Sequence, residues 1–444
     1  MDRDEYSSKP APIAIVGGGP CGLTFARLLE CADIDYVVFE RDASSVPEPG
    51  FQGGTLDIHG PTGQEALRRA GLHDHFEKLA RRDATSMVVQ NYKGDYCVKF
   101  GEKRDAPEID RLQLRQILLD SLPSHRIRWG KALRAIERDT HHEQKGAKDI
   151  KLHFTDGSTE TGFRLIVGAD GAWSKVRQLI TPANPEYSGI MFIEGRLSLD
   201  NPRYHAASEM IGTGNSLTTS ANAILCVQQM SDRSYRVYMG IKGPQDLTRS
   251  GGELDVTNID KTRAALLAPT GFYGDWAEHL RDFVAHAEGP WRVWPWCRLK
   301  PEVLLPKADD AGYDETQSQD SWKRSPGVAL LGDAAHAASP NGEGVNQAMY
   351  DALRLFESIS AEISDNQDVD FDETTDAEAL ERAIATYEAE MLRRGRDHIE
   401  DGMNVEKMFF GEKAAENLIE NFTQVKPEGS KPPMGPGSII ASEN

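Results

Sequence analysis

The sequence predicts an α/β protein: a domain on a parallel sheet, interrupted by an inserted antiparallel β-sheet domain and closed by C-terminal helices. Three observations carry that expectation. From Pro12 the chain runs PIAIVGGGPCGLTFARLLECADIDYVVFERD, which reads as an apolar strand, a glycine turn, an apolar-periodic helix and a second strand. From about residue 181 to 290 the texture changes to short segments such as MFIEGRLSL, ILCVQQM and YRVYMGI, separated by turns. After that, GVALLGDAAHAASPNGEGVNQAMYDALRLFESISAEI returns to strand, loop and long helix, and ALERAIATYEAEMLRRGRDHIEDGMNVEKMFF reads as one or two amphipathic helices.

Taken in order, residues 1–11 are expected to be a disordered leader. The glycine turn is GxGxxG at Gly17, Gly19 and Gly22. The first glycine permits the tight turn, the second lets backbone approach a pyrophosphate, and the third lets helix and sheet pack closely. The helix start then offers unpaired N–H groups to phosphate. Glu40 ends the second strand, 18 residues after Gly22, where a carboxylate can accept from ribose hydroxyls. This context makes the opening a Rossmann-like dinucleotide-binding unit. A polar loop, RDASSVPEPGFQGGTLDIHG, leads to a helix around GQEALRRAGLHDHFEKL, and residues 85–101 suggest strands.

RLQLRQILLDSL is a helix opened by Arg111, a position that opposes the helix dipole unless the arginine faces a phosphate. RIRWGKALRAIERD, IKLHFTDG and FRLIVGADG read as strands, with a hairpin turn at Asp156–Gly157. Two further strands end in acidic turns, at Asp170–Gly171 and at Gly332–Asp333, the kind of position where open sheets bind ligands. For Asp170 an ordinary helix-capping turn is the competing reading. Pro340, Gly342 and Gly344 form a bent segment whose N–H groups can face a flat ring and an anionic oxygen. His336 reads as structural rather than as a base. A short helix is expected over Trp276 to Phe283, a polar loop over 307–325 and a disordered tail over 426–444.

The expected division is 12–84, 106–180 and 291–365 for the nucleotide domain, 85–105 and 181–290 for the inserted domain, and 376–422 for helices bracing the two. A monomer is expected, with a dimer through those helices as the alternative.

Composition narrows the classes. The chain has 444 residues, 39% of them apolar, and a net charge of −20. It should repel nucleic acid and anionic membrane, since no basic run exceeds two residues. No stretch approaches the roughly 18 apolar residues of a spanning helix. The polar, acidic start has no signal-peptide core. Five cysteines with no CxxC support neither a disulfide scaffold nor a zinc site, and a reducing cytoplasm is the expected compartment.

GGGPCG (17–22), FER (39–41), DGAWSKVR (170–177) and GDAAHAASPNGEG (332–344) occur in the order of one family. The chain resembles the class A flavin-dependent aromatic monooxygenases, the para-hydroxybenzoate hydroxylase type, over roughly residues 11 to 405. GGTLDIHGPTGQEALRRAGL (53–72) and PEIDRLQLRQILLDSL (107–122) look closest to the tetracycline-inactivating monooxygenases.

The resemblance implies an FAD-binding domain of the glutathione reductase type and assigns roles by position. Gly17, Gly19 and Gly22 would carry the FAD pyrophosphate and Glu40 its ribose. Asp57 would lie near the flavin, and Arg111 would reach the phosphates. Asp170 would serve both FAD and the nicotinamide cofactor, and Asp333 would hold the ribityl chain. The Pro340, Gly342 and Gly344 backbone, with Val345 and Asn346, would flank the isoalloxazine.

The subgroup's arginine before GGTLD is missing: Gly50 stands nearby, with no arginine between Asp42 and Asp57, and Arg41 is the candidate substitute. Its substrate-side glutamine appears here as Glu194. Strand alternation adds Arg196, Gln228, Tyr238 and Met239 as pocket-lining candidates. The implied chemistry is reduction of FAD by NADPH, with NADH as the alternative. A C4a-hydroperoxide would then hydroxylate a phenolic or enolic polycycle, tetracyclines among the candidates. An oxidase, dehydrogenase or reductase on the same fold, or a non-catalytic flavin-binding protein, stays open at this point.

Overall fold

The computed structural model describes residues 10–47, 53–95, 97–100, 105–139, 146–305, 321–364, 372–411 and 413–423. Most of the expected leader, the 426–444 tail, Gly50 and most of the 307–325 loop lie outside the described residues.

Four apolar tetra- and tripeptides, IAIV, YVVF, LIVG and VAL, make the centre of the molecule. Their strands, Ile13–Val16, Tyr36–Phe39, Leu165–Gly168 and Val328–Leu330, join Ile127–Arg128 in a five-stranded sheet. The order runs 328–330, 165–168, 13–16, 36–39, 127–128, and every ladder is parallel. Near-continuous apolar strands are what a parallel sheet covered on both faces requires. Helix Pro20–Cys31 packs against helix Gly344–Ser364, which in turn packs against the 37-residue helix Glu373–Phe409. The expected 133–160 strands form a separate three-stranded sheet, turning at Gly157 with φ +86°. Among the described residues no helix is long and apolar enough to cross a membrane.

The inserted sheet has seven strands. Their order is Glu288–Arg298, Glu186–Leu197, Tyr235–Lys242, Ala223–Gln229, Asn215–Thr219, Met87–Asn91, Cys97–Phe100. Every pair is antiparallel except one: Asn215–Thr219 lies parallel to Met87–Asn91. No hairpin joins those two strands, because the chain returns to the parallel sheet between them, so their relative direction is not forced.

Side-chain alternation gives this sheet two different faces. Met191, Ile193, Leu225, Val237 and Met239 pack with Ala207, Leu266, Leu280 and Phe283 of the helices on one side. Val89, Phe192, Leu217, Ile224 and Trp296 pack with Val405, Phe409, Leu418 and Ile419 on the other. The expected short helix is Glu278–His286, and the C-terminal helical region is Glu373–Phe409 followed by Ala414–Thr423.

Candidate active site

The strand ends at residues 17, 170 and 333 meet. Gly17 has φ +111°, and a Cβ there would lie 2.3 Å from the Ala169 carbonyl oxygen and 3.0 Å from the Asp170 nitrogen. A Cβ on Gly22 would lie 2.1 Å from the Gly17 carbonyl, which is the close helix–strand approach expected of the third glycine. A Cβ on Gly19 would meet nothing within 4 Å. Gly19 caps the Pro20–Cys31 helix without a side-chain hydrogen bond, and Leu23 N–H is the one that reaches back to the Gly19 carbonyl. The N–H groups before it have no acceptor within the helix, and helix geometry aims them at the open side of the turn. On the other flank, the Leu331 N–H donates to the Gly168 carbonyl, and a Cβ on Gly332 would lie 2.7 Å from Ala348 Cβ.

Glu40 is buried beside this turn. One carboxylate oxygen accepts the Gly18 N–H at 2.5 Å, and the other accepts the Asp42 N–H at 2.9 Å. A carboxylate has about four acceptor sites, so two remain for ribose hydroxyls. Arg115 completes the corner: its Nε donates to the Gly18 carbonyl at 3.0 Å and its Nη2 pairs with Asp42 at 2.9 Å. Sequence reading missed Arg115, although it stands one helical turn after Arg111 and so on the same face. Arg41 is exposed next to Glu40.

Asp333 and Arg111 hold the middle of the crevice. Both keep solvent-accessible surface, while Leu331, Gly332 and Ala334 around Asp333 are buried. Crowding by protein raises the Asp333 carboxyl above its ordinary range, against the pull of His336, Arg111 and Arg177. Desolvation lowers Arg111, opposed by Asp333 and Tyr238. The two opposite charges thus act on one another while both stay accessible to solvent. Arg111 opens its helix behind a capping box made by Asp110 and Gln113, and a Cβ on Gly53 would sit 3.2 Å from its Cδ.

Asp170 does what a capping residue does. It accepts the Ser174 hydroxyl at 2.6 Å and the Lys175 N–H at 2.7 Å, and burial raises its carboxyl. Arg177, fully buried, donates to the carbonyls of Ala334, Ala172 and Ala183 at 3.0, 2.5 and 3.3 Å. It ties the 170 turn to the 333 turn.

His336 is buried against Asp351 at 2.7 Å, so it serves structure, as the sequence suggests. Asp351 also accepts the Gly332 N–H and pairs with Arg394, each at 2.7 Å.

The 340–346 segment closes the far end. Pro340 is exposed, Gly342 has φ +86°, and a Cβ on Gly344 would meet nothing within 4 Å. Gly344 begins a 21-residue helix, so its N-terminal N–H groups border the same crevice. Val345 is half-buried. Asn346 is buried, accepting the His59 N–H and donating to the Asp57 carbonyl, both at 2.9 Å. The Asp57 carboxylate meets His59 at 3.1 Å.

Above the crevice lies one face of the inserted sheet. A Cβ on Gly54 would come 2.6 Å from the Tyr238 hydroxyl. Glu194 stands opposite Tyr238 in the ladder; it accepts Trp294 Nε1–H at 2.8 Å and lies 3.5 Å from Arg236 Nε. Burial, then Glu194, pushes the Tyr238 phenol well up, so it keeps its proton at neutral pH. Gln228 is on this face too, donating to Glu108 at 3.4 Å.

One candidate does not belong to the pocket. Met239 is wholly buried in the cluster on the opposite face, because neighbours of Tyr238 along the strand point the other way. Arg196, opposite Arg236 in the ladder, shares the face of Glu194 and pairs with the exposed Asp232 at 3.3 Å. Trp294 and Arg236 are the residues the sequence did not single out. Each sits diagonally across from Glu194, Trp294 opposite Phe192 and Arg236 opposite Arg196, a relation that only a known register reveals.

These residues suit FAD. An open glycine cradle at a helix start fits a pyrophosphate, a buried carboxylate fits a ribose, and the accessible Asp333–Arg111 pair fits a hydroxylated chain and a phosphate. The chain belongs to the FAD binding domain family, whose model matches residues 10–209 and 313–390. It is 29% identical over 450 residues to monooxygenase asqM of Emericella nidulans, spanning 91% of this chain and 96% of that protein.

Its fold matches Klebsiella pneumoniae HpxO, solved with FAD and uric acid, at a TM-score of 0.67 and 20% identity over 92% of each chain. It matches tetracycline destructase Tet(55) at 0.64 and 14% identity over 93% of each. The tetracycline-inactivating subgroup is therefore not singled out within the fold. The chain is an FAD-dependent enzyme of the monooxygenase type on the para-hydroxybenzoate hydroxylase fold.

Proposed function

We propose that the enzyme hydroxylates an electron-rich phenolic or enolic ring compound, consuming NADPH or NADH and dioxygen. The observation that carries this is the polar row on the roof, Glu194, Arg236, Trp294 and Tyr238, set over the crevice that suits FAD. Bound FAD supplies the redox and oxygen-activating chemistry that amino-acid side chains lack.

The chain's own residues bind, orient and shield. Glu194 retains acceptor sites after taking the Trp294 N–H, so it can accept a substrate hydroxyl. Tyr238, held protonated, can donate to a phenolate or enolate oxygen and so favour the ring's electron-rich form. The inserted sheet excludes water from above, and fixed placement of the ring lowers the entropic part of the barrier. Glu194 stands where the tetracycline-inactivating enzymes, by resemblance, carry glutamine, so the favoured substrate bears a donor that a carboxylate prefers. Arg41, exposed beside Glu40, supplies the cation for the nicotinamide cofactor.

The test is product mass after incubation with FAD, each nicotinamide cofactor, oxygen and a panel of polycyclic phenols, fungal-type polyketides and tetracyclines. The expected result is a gain of one oxygen in at least one phenol or enol, with cofactor oxidation accelerated by that compound. Cofactor oxidation that yields only peroxide with every compound would overturn the proposal.

A further inference from the structure

Two segments bordering the crevice, 53–59 and 340–346, are joined at a buried histidine. His59 Nε2 lies 3.1 Å from Asp57 Oδ2, and its Nδ1 lies 3.1 Å from Glu343 Oε1. His59 and Glu343 are both buried, and only 19% of the Asp57 side chain is exposed. The backbone repeats the connection through Asn346, 287 residues from His59, which accepts the His59 N–H. A Cβ on Gly63 would come 2.6 Å from that same Asn346 oxygen, so the joint has no slack.

An imidazole can donate from both nitrogens only as imidazolium. A neutral ring would turn a lone pair toward one of two buried carboxylates. The geometry therefore calls for the charged form. Burial pulls the His59 pKa down, but the bonds and charges of Asp57 and Glu343 outweigh it and hold it at about 9. Asp57 on its own segment and Glu343 on the facing loop are the charged groups against it. Beyond Glu343 lies His398, bonded to Asn341 and held neutral by burial with its pKa near 3.

We propose that His59 is a positively charged positioning residue, clamping the 55–59 segment to the loop that opens helix 344–364 and so preshaping the floor on which the isoalloxazine ring rests. It rests on the reading that this loop flanks the flavin. Glu343 is the first acceptor of that helix, its carbonyl taking the Gln347 N–H at 2.9 Å. The clamp thus fixes where the helix starts. Without the proton, the two carboxylates repel across the joint, and flavin binding must then order the loop at its own expense.

The test titrates FAD into apoprotein by flavin fluorescence at about pH 7 and about pH 10, with circular dichroism confirming fold at each. Wild type should lose about ten-fold in affinity across that range, the size of one charge-assisted hydrogen bond. His59→Asn should bind FAD weakly and without that pH dependence. Glu343→Gln should move the inflection to lower pH, since one of the two carboxylates holding the proton is gone. Histidine 15N NMR, assigned by loss of the signal in His59→Asn, should show both ring nitrogens protonated near pH 7.

A His59→Asn protein with the wild-type pH profile, or a neutral His59 at pH 7, would overturn the clamp. Asp333→Ala separates this from failure of the crevice reading. If Asp333→Ala weakens FAD while His59→Asn does nothing, the clamp alone is wrong. If neither affects FAD, the crevice assignment is wrong.

Discussion

Asp351→Asn should unfold the nucleotide end of the molecule early. Asp351 has no exposed surface, and it holds the Gly332 N–H, His336 Nε2 and Arg394 Nη1, each at 2.7 Å. The asparagine keeps shape and one acceptor, but presents an N–H₂ group to donors and leaves Arg394 without its buried counter-charge. Removing one partner of a buried pair costs about 3–5 kcal/mol, and the retained acceptor places this case near the lower end, about 3 kcal/mol.

The pH dependence gives an independent figure. Burial raises the Asp351 pKa, but His336, Arg394 and the Gly332 N–H outweigh it and bring it to about 2, from an unperturbed 3.8. Because the folded value is the lower one, the contribution is complete above about pH 4 and is lost as pH falls through about 2. That difference corresponds to somewhere between about 2 and 3 kcal/mol. Urea titrations of the holoprotein, followed by far-ultraviolet circular dichroism and by flavin release, measure both. Asp351→Asn at neutral pH should lower the midpoint and release flavin first, because the Gly332 N–H it holds sits next to Asp333. A variant within about 0.5 kcal/mol of wild type and fully loaded with FAD would refute the argument.

Three shorter predictions test the rest of the site. Asp333→Ala should fold normally but weaken FAD by about ten-fold or more, since a carboxylate accepting hydroxyls is lost; equilibrium dialysis of flavin decides, and unchanged affinity would count against the placement. Gly17→Ala forces a Cβ to 2.3 Å from a backbone oxygen at φ +111°, so the purified protein should be colourless or insoluble; a yellow, stable variant would contradict the packing. Glu194→Gln should leave flavin content unchanged and raise KM for the phenolic substrate about ten-fold, with weaker substrate stimulation of NADPH oxidation. An unaltered KM would remove Glu194 from the substrate site.

The glycine turn, the acidic strand ends and the change of texture at 181 were legible because each is written in neighbouring residues. Gly17 and Gly22 need glycine for reasons contained within the βα unit itself. The alternation of YRVYMGI announces a strand, yet says nothing about which face meets the ligand; Tyr238 and Met239 were equal candidates, and only the wholly buried Met239 turns inward. The parallel pair inside the inserted sheet was equally hidden, because its strands are not linked by a turn whose length could be read.

What escaped the sequence is mostly the machinery that sets distances between motifs. Asp351 reaches Gly332, Arg177 reaches the Ala334 carbonyl, Arg115 reaches the Gly18 carbonyl, and His59 reaches Glu343. Each is a charged or titratable side chain whose partner lies on another segment, so no local pattern marks it. A glycine turn determines the path of one loop. It cannot hold that loop at a fixed distance from another, and a dinucleotide bound across several loops requires just that. Apolar packing resists separation but tolerates small sliding, whereas a buried ion pair or an arginine bonded to three carbonyls penalises an error of an ångström by stranding charge. The conspicuous motifs therefore shape the contacts with the flavin, and the buried charges beside them determine whether those contacts coincide.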